Sequence, residues 1–272
     1  MATEPSSLAN LYQDLDDIAK CFGHIVYNII NNSIDFDVDD FEKHDLYLSE
    51  SYCLLWQNAE TGEVDGRKVG MPLKIGVLAA LFIDLYASGL IKVFMHPEDD
   101  EPMFRLLETH STETFLDFAI FDSLRVANAQ GRLREAKLWK WLLRAEDADC
   151  VENTFDSLIA RGILREKSAG LLGLFKKFPT VNPEPERNLE KKIKDVVFNN
   201  VKADGYMLSL LILSRESDRI FMCEDPILRK HFTSAEYKDA KKNLDKILLG
   251  RLALDWFTDW IFYLQNFRIA AS

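Results

Sequence analysis

The chain has 272 residues, 47% of them hydrophobic and 28% charged, with a formal net charge of −11. That composition specifies a globular protein able to bury a large core, and the negative balance argues against general nucleic-acid binding. Four cysteines (Cys21, Cys53, Cys150, Cys223) stand far apart with no CxxC spacing, which fits buried thiols in a reducing compartment better than a disulfide framework or a zinc site.

Residues 8–31 place Leu8, Leu11, Leu15, Ile18, Phe22, Ile25 and Ile29 at helical spacing, predicting an amphipathic helix. The stretch from Ile34 to Asp45 is acidic and loop-like, and the alternation of Phe36, Val38 and Phe41 suits a short strand. Leu46–Trp56 begins a new element, with turns following at Thr61-Gly62-Glu63 and Asp65-Gly66. Met71–Ser88 is the clearest helix: Pro72 sits in a first turn, Gly89 stands at the end, and the residues between are apolar on nearly every face. Such a helix belongs at the centre of a core. Lys74 and Asp84 interrupt it too often for a membrane span.

Further helices are expected at Met103–Ala129 (broken once), Leu133–Arg144, Cys150–Arg161, Arg187–Asn200, Gly205–Leu213, Ala235–Leu249 and Leu252–Phe267. In the last, Trp256, Trp260, Leu264 and Phe267 form one stripe, read as a core seam. Between Leu164 and Val181 the pattern changes to a hairpin. Gly170 and Gly173 allow tight turns, Pro179, Pro183 and Pro185 forbid a continuous helix, and Leu171, Leu172, Leu174 and Phe175 form an apolar tip beside Lys176 and Lys177. Such a tip enters a membrane surface, or folds onto its own domain or a second copy.

Charge is unevenly spread. Residues 1–66 hold fourteen acids and two bases, whereas residues 161–202 hold ten bases and five acids. Solvated helix faces are the commoner reason for such runs, and an anionic partner surface is the functional one. Arg67, Lys68 and Lys74 approach the start of the central helix, where N-terminal amides favour an anion; a solvated basic turn is the plainer reading. No phosphate loop, dinucleotide fingerprint, nucleophile elbow or HExxH is present. Histidines 24, 44, 96, 110 and 231 show no metal-ligand spacing and read as surface or capped side chains. The run Glu98-Asp99-Asp100-Glu101 lacks the spaced ligands of a calcium loop. The sequence therefore predicts no catalytic residue, no metal, no cofactor and no enzyme. The first twenty residues have no basic start with an apolar run, so a cytoplasmic protein is expected.

Three ordered stretches resemble the Golgi phosphoprotein family of peripheral Golgi adaptors and their bacterial relatives. LYLSESYCLLWQNAETGEVDG, from Leu46, leads into VLAALFIDLYASGLIKV, ending at Val93, with Asp84 at the family's usual acid and Ser88 in place of its usual arginine. Asp122–Leu143 (DSLRVANAQGRLREAKLWKWLL) and Leu158–Ile193 (LIARGILREKSAGLLGLFKKFPTVNPEPERNLEKKI) are similar to its next helices and its hairpin. The resemblance covers roughly residues 46–265 and divides the chain into an acidic helix and leader, 1–45, and a helical domain, 46–267.

It implies a mainly α fold, a single multi-helix domain around a buried central helix with one protruding β-hairpin. It also implies phosphatidylinositol 4-phosphate binding at the cytoplasmic face of Golgi membranes and retention or trafficking of Golgi membrane proteins through their cytosolic tails, with possible homo-oligomers through the hairpin. The family's pocket tryptophan falls on Val69, and its arginines fall on Leu78, Ala148 and Val151. Arg67, Lys68 and Lys74 are then the substitute headgroup contacts. The alternative is a soluble interaction or scaffold module on the same fold, its lipid pocket lost.

Overall fold

The computed structural model describes residues 6–33, 35–64, 71–133, 136–143, 149–169, 175–220 and 227–248. Helix α1 (Ser6–Asn32) is followed by the one-turn α2 (Asp39–Glu42), α3 (Leu48–Trp56) and α4 (Met71–Ala87). Strands β1 (Ile91–Met95) and β2 (Pro102–Leu106) lead to a π-helical turn at Asp117–Phe121 that runs into α5 (Asp122–Ala129). Then come β3 (Ala136–Lys137), α6 (Leu138–Leu143), α7 (Cys150–Ala160), β4 (Lys167–Ala169), β5 (Phe175–Lys177), α8 (Glu184–Phe198), α9 (Gly205–Ile220), a 3₁₀ turn at Ile227–His231 and α10 (Ser234–Leu248).

The fold is mainly α, built around α4. From Leu73 to Leu85 every α4 residue except Lys74 is buried, and α1, α3, α6, α7, α9 and β1 all pack on it. The helix stops where the sequence says it should. Gly89 has φ +71°, and the amides of Gly89 and Leu90 donate back to the carbonyls of Tyr86 and Leu85. This left-handed closure consumes carbonyls that a helix end leaves unpaired. Among the described residues no helix is long and apolar enough to cross a membrane. Cys21, Cys53 and Cys150 are buried free thiols, as expected.

Several boundaries differ from the sequence reading. Met103–Ala129 is not one broken helix: Pro102–Leu106 is the middle strand of an antiparallel sheet ordered β1-β2-β3, pairing Val93 with Phe104 and Phe104 with Ala136. Pro102 opens that strand at its first residue, where a missing N–H is tolerated. Leu133–Arg144 likewise gives up its first part to β3 and is helical only from Leu138. The expected strand through Phe36, Val38 and Phe41 is instead a turn and α2. The rings of Phe36 and Phe41 pack edge-on against Tyr86 and Tyr206, so their spacing serves aromatic packing rather than a sheet. Helix α8 starts earlier than expected, with Pro185 in its first turn, and α9 runs on to Ile220. The expected helix Leu252–Phe267 lies outside the described residues.

Asp84 joins the central helix to its neighbour. It is 1% exposed, and its carboxyl accepts the backbone N–H groups of Leu48 (2.8 Å) and Ser49 (3.0 Å) and the Ser49 hydroxyl (2.7 Å). Those amides open α3, so a residue from the core caps a helix distant in sequence. Burial pushes the Asp84 carboxyl up to about 7, against the opposing pull of the Ser49 and Leu48 hydrogen bonds. A raised acid pKa contributes stability that is complete below the unfolded value of 3.8 and lost as pH rises through about 7.

Asp84→Ala is expected to cost about 2–4 kcal/mol, because two buried amides lose their acceptor, and Asp84→Asn less, because one oxygen remains. Chemical denaturation across pH checks the linkage. The wild-type advantage over Asp84→Asn should shrink between about pH 4 and pH 8.

Candidate functional site

Two regions concentrate polar chemistry. The first is the corner where α4 and α7 begin. Lys74, on the first turn of α4, is half-buried and acts on the Cys150 thiol at the start of α7. Burial raises that thiol to about 11, and the Lys74 charge draws it back. One turn further along α4, Leu78 is buried in the core, and Val151 is half-buried beside Cys150. An apolar side chain closed into the core offers a phosphate nothing, so Leu78 is no headgroup contact. Arg67, Lys68, Val69 and Ala148 lie outside the described residues.

The hairpin stands beside the same helix. β4 and β5 pair antiparallel, Lys167 opposite Lys177 and Ala169 opposite Phe175, and residues 165–168 are exposed. Leu171, Leu172 and Leu174 lie outside the described residues, and of Phe175 only the backbone is described. Lys176 pairs with Glu166 (3.2 Å) and is also attracted by Glu152 and Asp156 of α7. Lys177 pairs with Glu63 (2.8 Å). Lys176 and Lys177 thus have carboxylate partners, which lowers the net positive charge they present.

The base of the hairpin is bolted to the body at residues 57–64. The Phe178 amide donates to the Gly62 carbonyl (2.7 Å), the Thr180 amide to Ala59 (3.2 Å), and the Gln57 side-chain amide to the Phe178 carbonyl (2.6 Å). Gly62 has φ +68°, and a Cβ there would lie 2.3 Å from the Pro179 nitrogen, so only glycine lets the strands approach.

The second region lies between α2, α4, α8 and α9. His44 Nδ1 accepts from Lys192 Nζ (3.2 Å), so Nε2 carries the proton and donates to Asp204 (2.8 Å). Its ring lies on Tyr206, centroids 3.9 Å apart. Burial alone would raise Asp204, but His44, the Met207 amide and the Lys192 charge bring it below the usual carboxylate value. His231 is held similarly, Nδ1 to Glu190 (2.9 Å) and Nε2 to the Leu55 carbonyl (3.4 Å).

These two histidines are not surface groups: each fastens α8 to the body. An acid–histidine pair beside a cavity invites a catalytic reading. Both nitrogens of His44 are engaged, however, and its accepting nitrogen faces an ammonium rather than a hydroxyl or thiol. Sequence gave no signal for the pair, because His44 and Asp204 are 160 residues apart.

The Glu98–Glu101 run is answered by Lys137, which bridges Asp99 (3.2 Å) and Glu101 (2.6 Å), and no metal-holding group occurs among the described residues.

The family model described as Golgi phosphoprotein 3 (GPP34) matches residues 48–256. The chain belongs to the Golgi phosphoprotein 3 family. The match starts at Leu48, whose amide Asp84 accepts, and takes in the α4–α7 corner and the hairpin. No curated protein matches the sequence.

Gly62→Ala is expected to destabilise the protein by about 2 kcal/mol or more, since it combines a left-handed backbone with a clash against main chain. Thermal melting checks this, and limited proteolysis should show the loss as earlier cutting between residues 164 and 181.

Proposed function

We propose that the protein is a peripheral adaptor of the Golgi membrane, a binding protein and not an enzyme. In this reading it takes phosphatidylinositol 4-phosphate and holds the cytosolic tails of Golgi membrane proteins. Membership of the Golgi phosphoprotein 3 family supports the Golgi assignment. One electrostatic observation supports the membrane contact. Lys74 acts on Cys150, and Lys176 acts on Glu152 and Asp156, so headgroup lysine and hairpin address the same short stretch of α7. A headgroup charge and an apolar tip must reach one membrane plane together, and anchorage of Lys74 and the hairpin strand on one helix supports that reading. Leu171, Leu172, Leu174 and Phe175 would then enter lipid, with Arg67, Lys68 and Lys74 at the headgroups.

The burial of Leu78 and the pairing of Lys176 and Lys177 favour a second reading. In that reading the chain is a soluble interaction or scaffold module on the same fold, its hairpin joining copies.

Co-sedimentation with vesicles, with and without phosphatidylinositol 4-phosphate, separates the two. Retention should require the lipid. Lys74→Ala should weaken it by about 1 kcal/mol, and Leu174→Ala with Phe175→Ala more strongly, since each buried apolar side chain contributes about 1.5–3 kcal/mol. Equal retention of all forms, or of none, removes the lipid reading and leaves the scaffold.

A further inference from the structure

We infer that the cavity between α2, α4 and α9 binds a guanidinium or primary ammonium group. Its volume is about 310 Å³, close to the lower bound of about 300 Å³ for small-molecule sites. Phe41, Tyr47 and Tyr206 supply aromatic wall, Glu42 and Asp45 stand exposed on the rim, and Asp84 forms part of the buried lining. Among the described residues no lysine or arginine lines it. Aromatic faces and carboxylates in one concavity attract an organic cation by ring quadrupole and by charge.

Asp84 carries the argument beyond a cluster of acids. A buried carboxylate is ordinarily matched by a cation or by a full set of donors. Asp84 Oδ2 has two donors, but Oδ1 has only the Leu48 amide, and a carboxylate oxygen accepts two. The second acceptor position of Oδ1 has no partner among the described residues, and the side chain that carries it lines the cavity.

The basic groups nearby are committed elsewhere: Arg161 to Glu50 and the Asp45 carbonyl, Lys192 to His44. The Tyr206 hydroxyl is bonded to Ser51 and the Tyr47 carbonyl, so it does not answer Asp84 either. Burial first, with the Glu50 charge adding to it, holds the Asp84 carboxyl above the usual carboxylate range, so its ionised form gains from a counter-charge. A cation in the cavity supplies it.

The same chemistry is found on a free small cation and on an arginine of a polypeptide. Calorimetric titration of the full chain with arginine amide, spermidine, citrulline amide as the neutral match, and a short arginine-bearing peptide tests both. Arginine amide should bind near pH 8 and more weakly near about pH 6, where Asp84 gains a proton; Glu42, Asp45, Glu50, Tyr47, Tyr206 and His44 also face the cavity or Asp84, so the same titration on Asp84→Asn should lose the Asp84 part of that pH dependence. Citrulline amide should not bind.

Asp84→Asn should weaken arginine amide by about tenfold or more. Ser88→Arg places a guanidinium one turn beyond Asp84, where it fills the cavity itself. This variant should melt no lower than wild type and bind no cation, which keeps the test intact if Asp84→Asn folds poorly. A peptide that binds much more tightly than arginine amide marks a polypeptide as the source; equal affinities mark a free cation. Equal binding of arginine and citrulline amides, no heat with any probe, or wild-type binding by Ser88→Arg overturns the site. None of these outcomes depends on lipid binding.

Discussion

A helix that is apolar on every face has no preferred rotation about its own axis, because each orientation buries the same kind of surface. Helix α4 is such a helix, and two contacts give it a register. Gly76 lets the Tyr52 ring come so close that a Cβ would lie 2.1 Å from its hydroxyl, and that hydroxyl is held by Ser217 at 2.7 Å. Eight residues later Asp84 takes the first amides of α3. Between them the two contacts fix how α3 and α9 lie on the central helix, and thereby where the cavity beside α2 opens.

The use of a carboxylate to close a helix start recurs, and it gives Asp40 of the acidic leader a structural task. Asp40 accepts the Gly205 amide at the start of α9, and Glu50 accepts the Tyr47 amide while bonded to Ser157 and Arg161. Asp117 gathers the amides of Thr112 and Glu113 and the hydroxyl of Ser111, holding the loop ahead of α5. Negative charge at a helix start is favoured by the macrodipole. The net charge of the first third of the chain thus follows partly from the number of helix starts it has to satisfy.

The elements visible in the sequence were those set by local rules. Pro72 and Gly89 bracket α4, α7 and α10 show clean apolar stripes, and the proline-bounded stretch before α8 forms a hairpin. Strand β2 was missed because Met103, Phe104, Leu106 and Leu107 suit a helix face as well as a strand, and its partners lie outside the local window. His44 and Asp204, or Lys176 and Asp156, meet only through tertiary packing, so no spacing rule could reveal them. The cavity did leave one trace. Ser88 stands where the resembling motif carries arginine, and a short hydroxyl there leaves the space beside Asp84 open.

The footing of the hairpin has an evolutionary consequence. The hydrogen bonds described between hairpin and body belong to residues 57–64, 163–165 and 177–182. Gly62 and Gln57 therefore have little room to vary, whatever the spur meets.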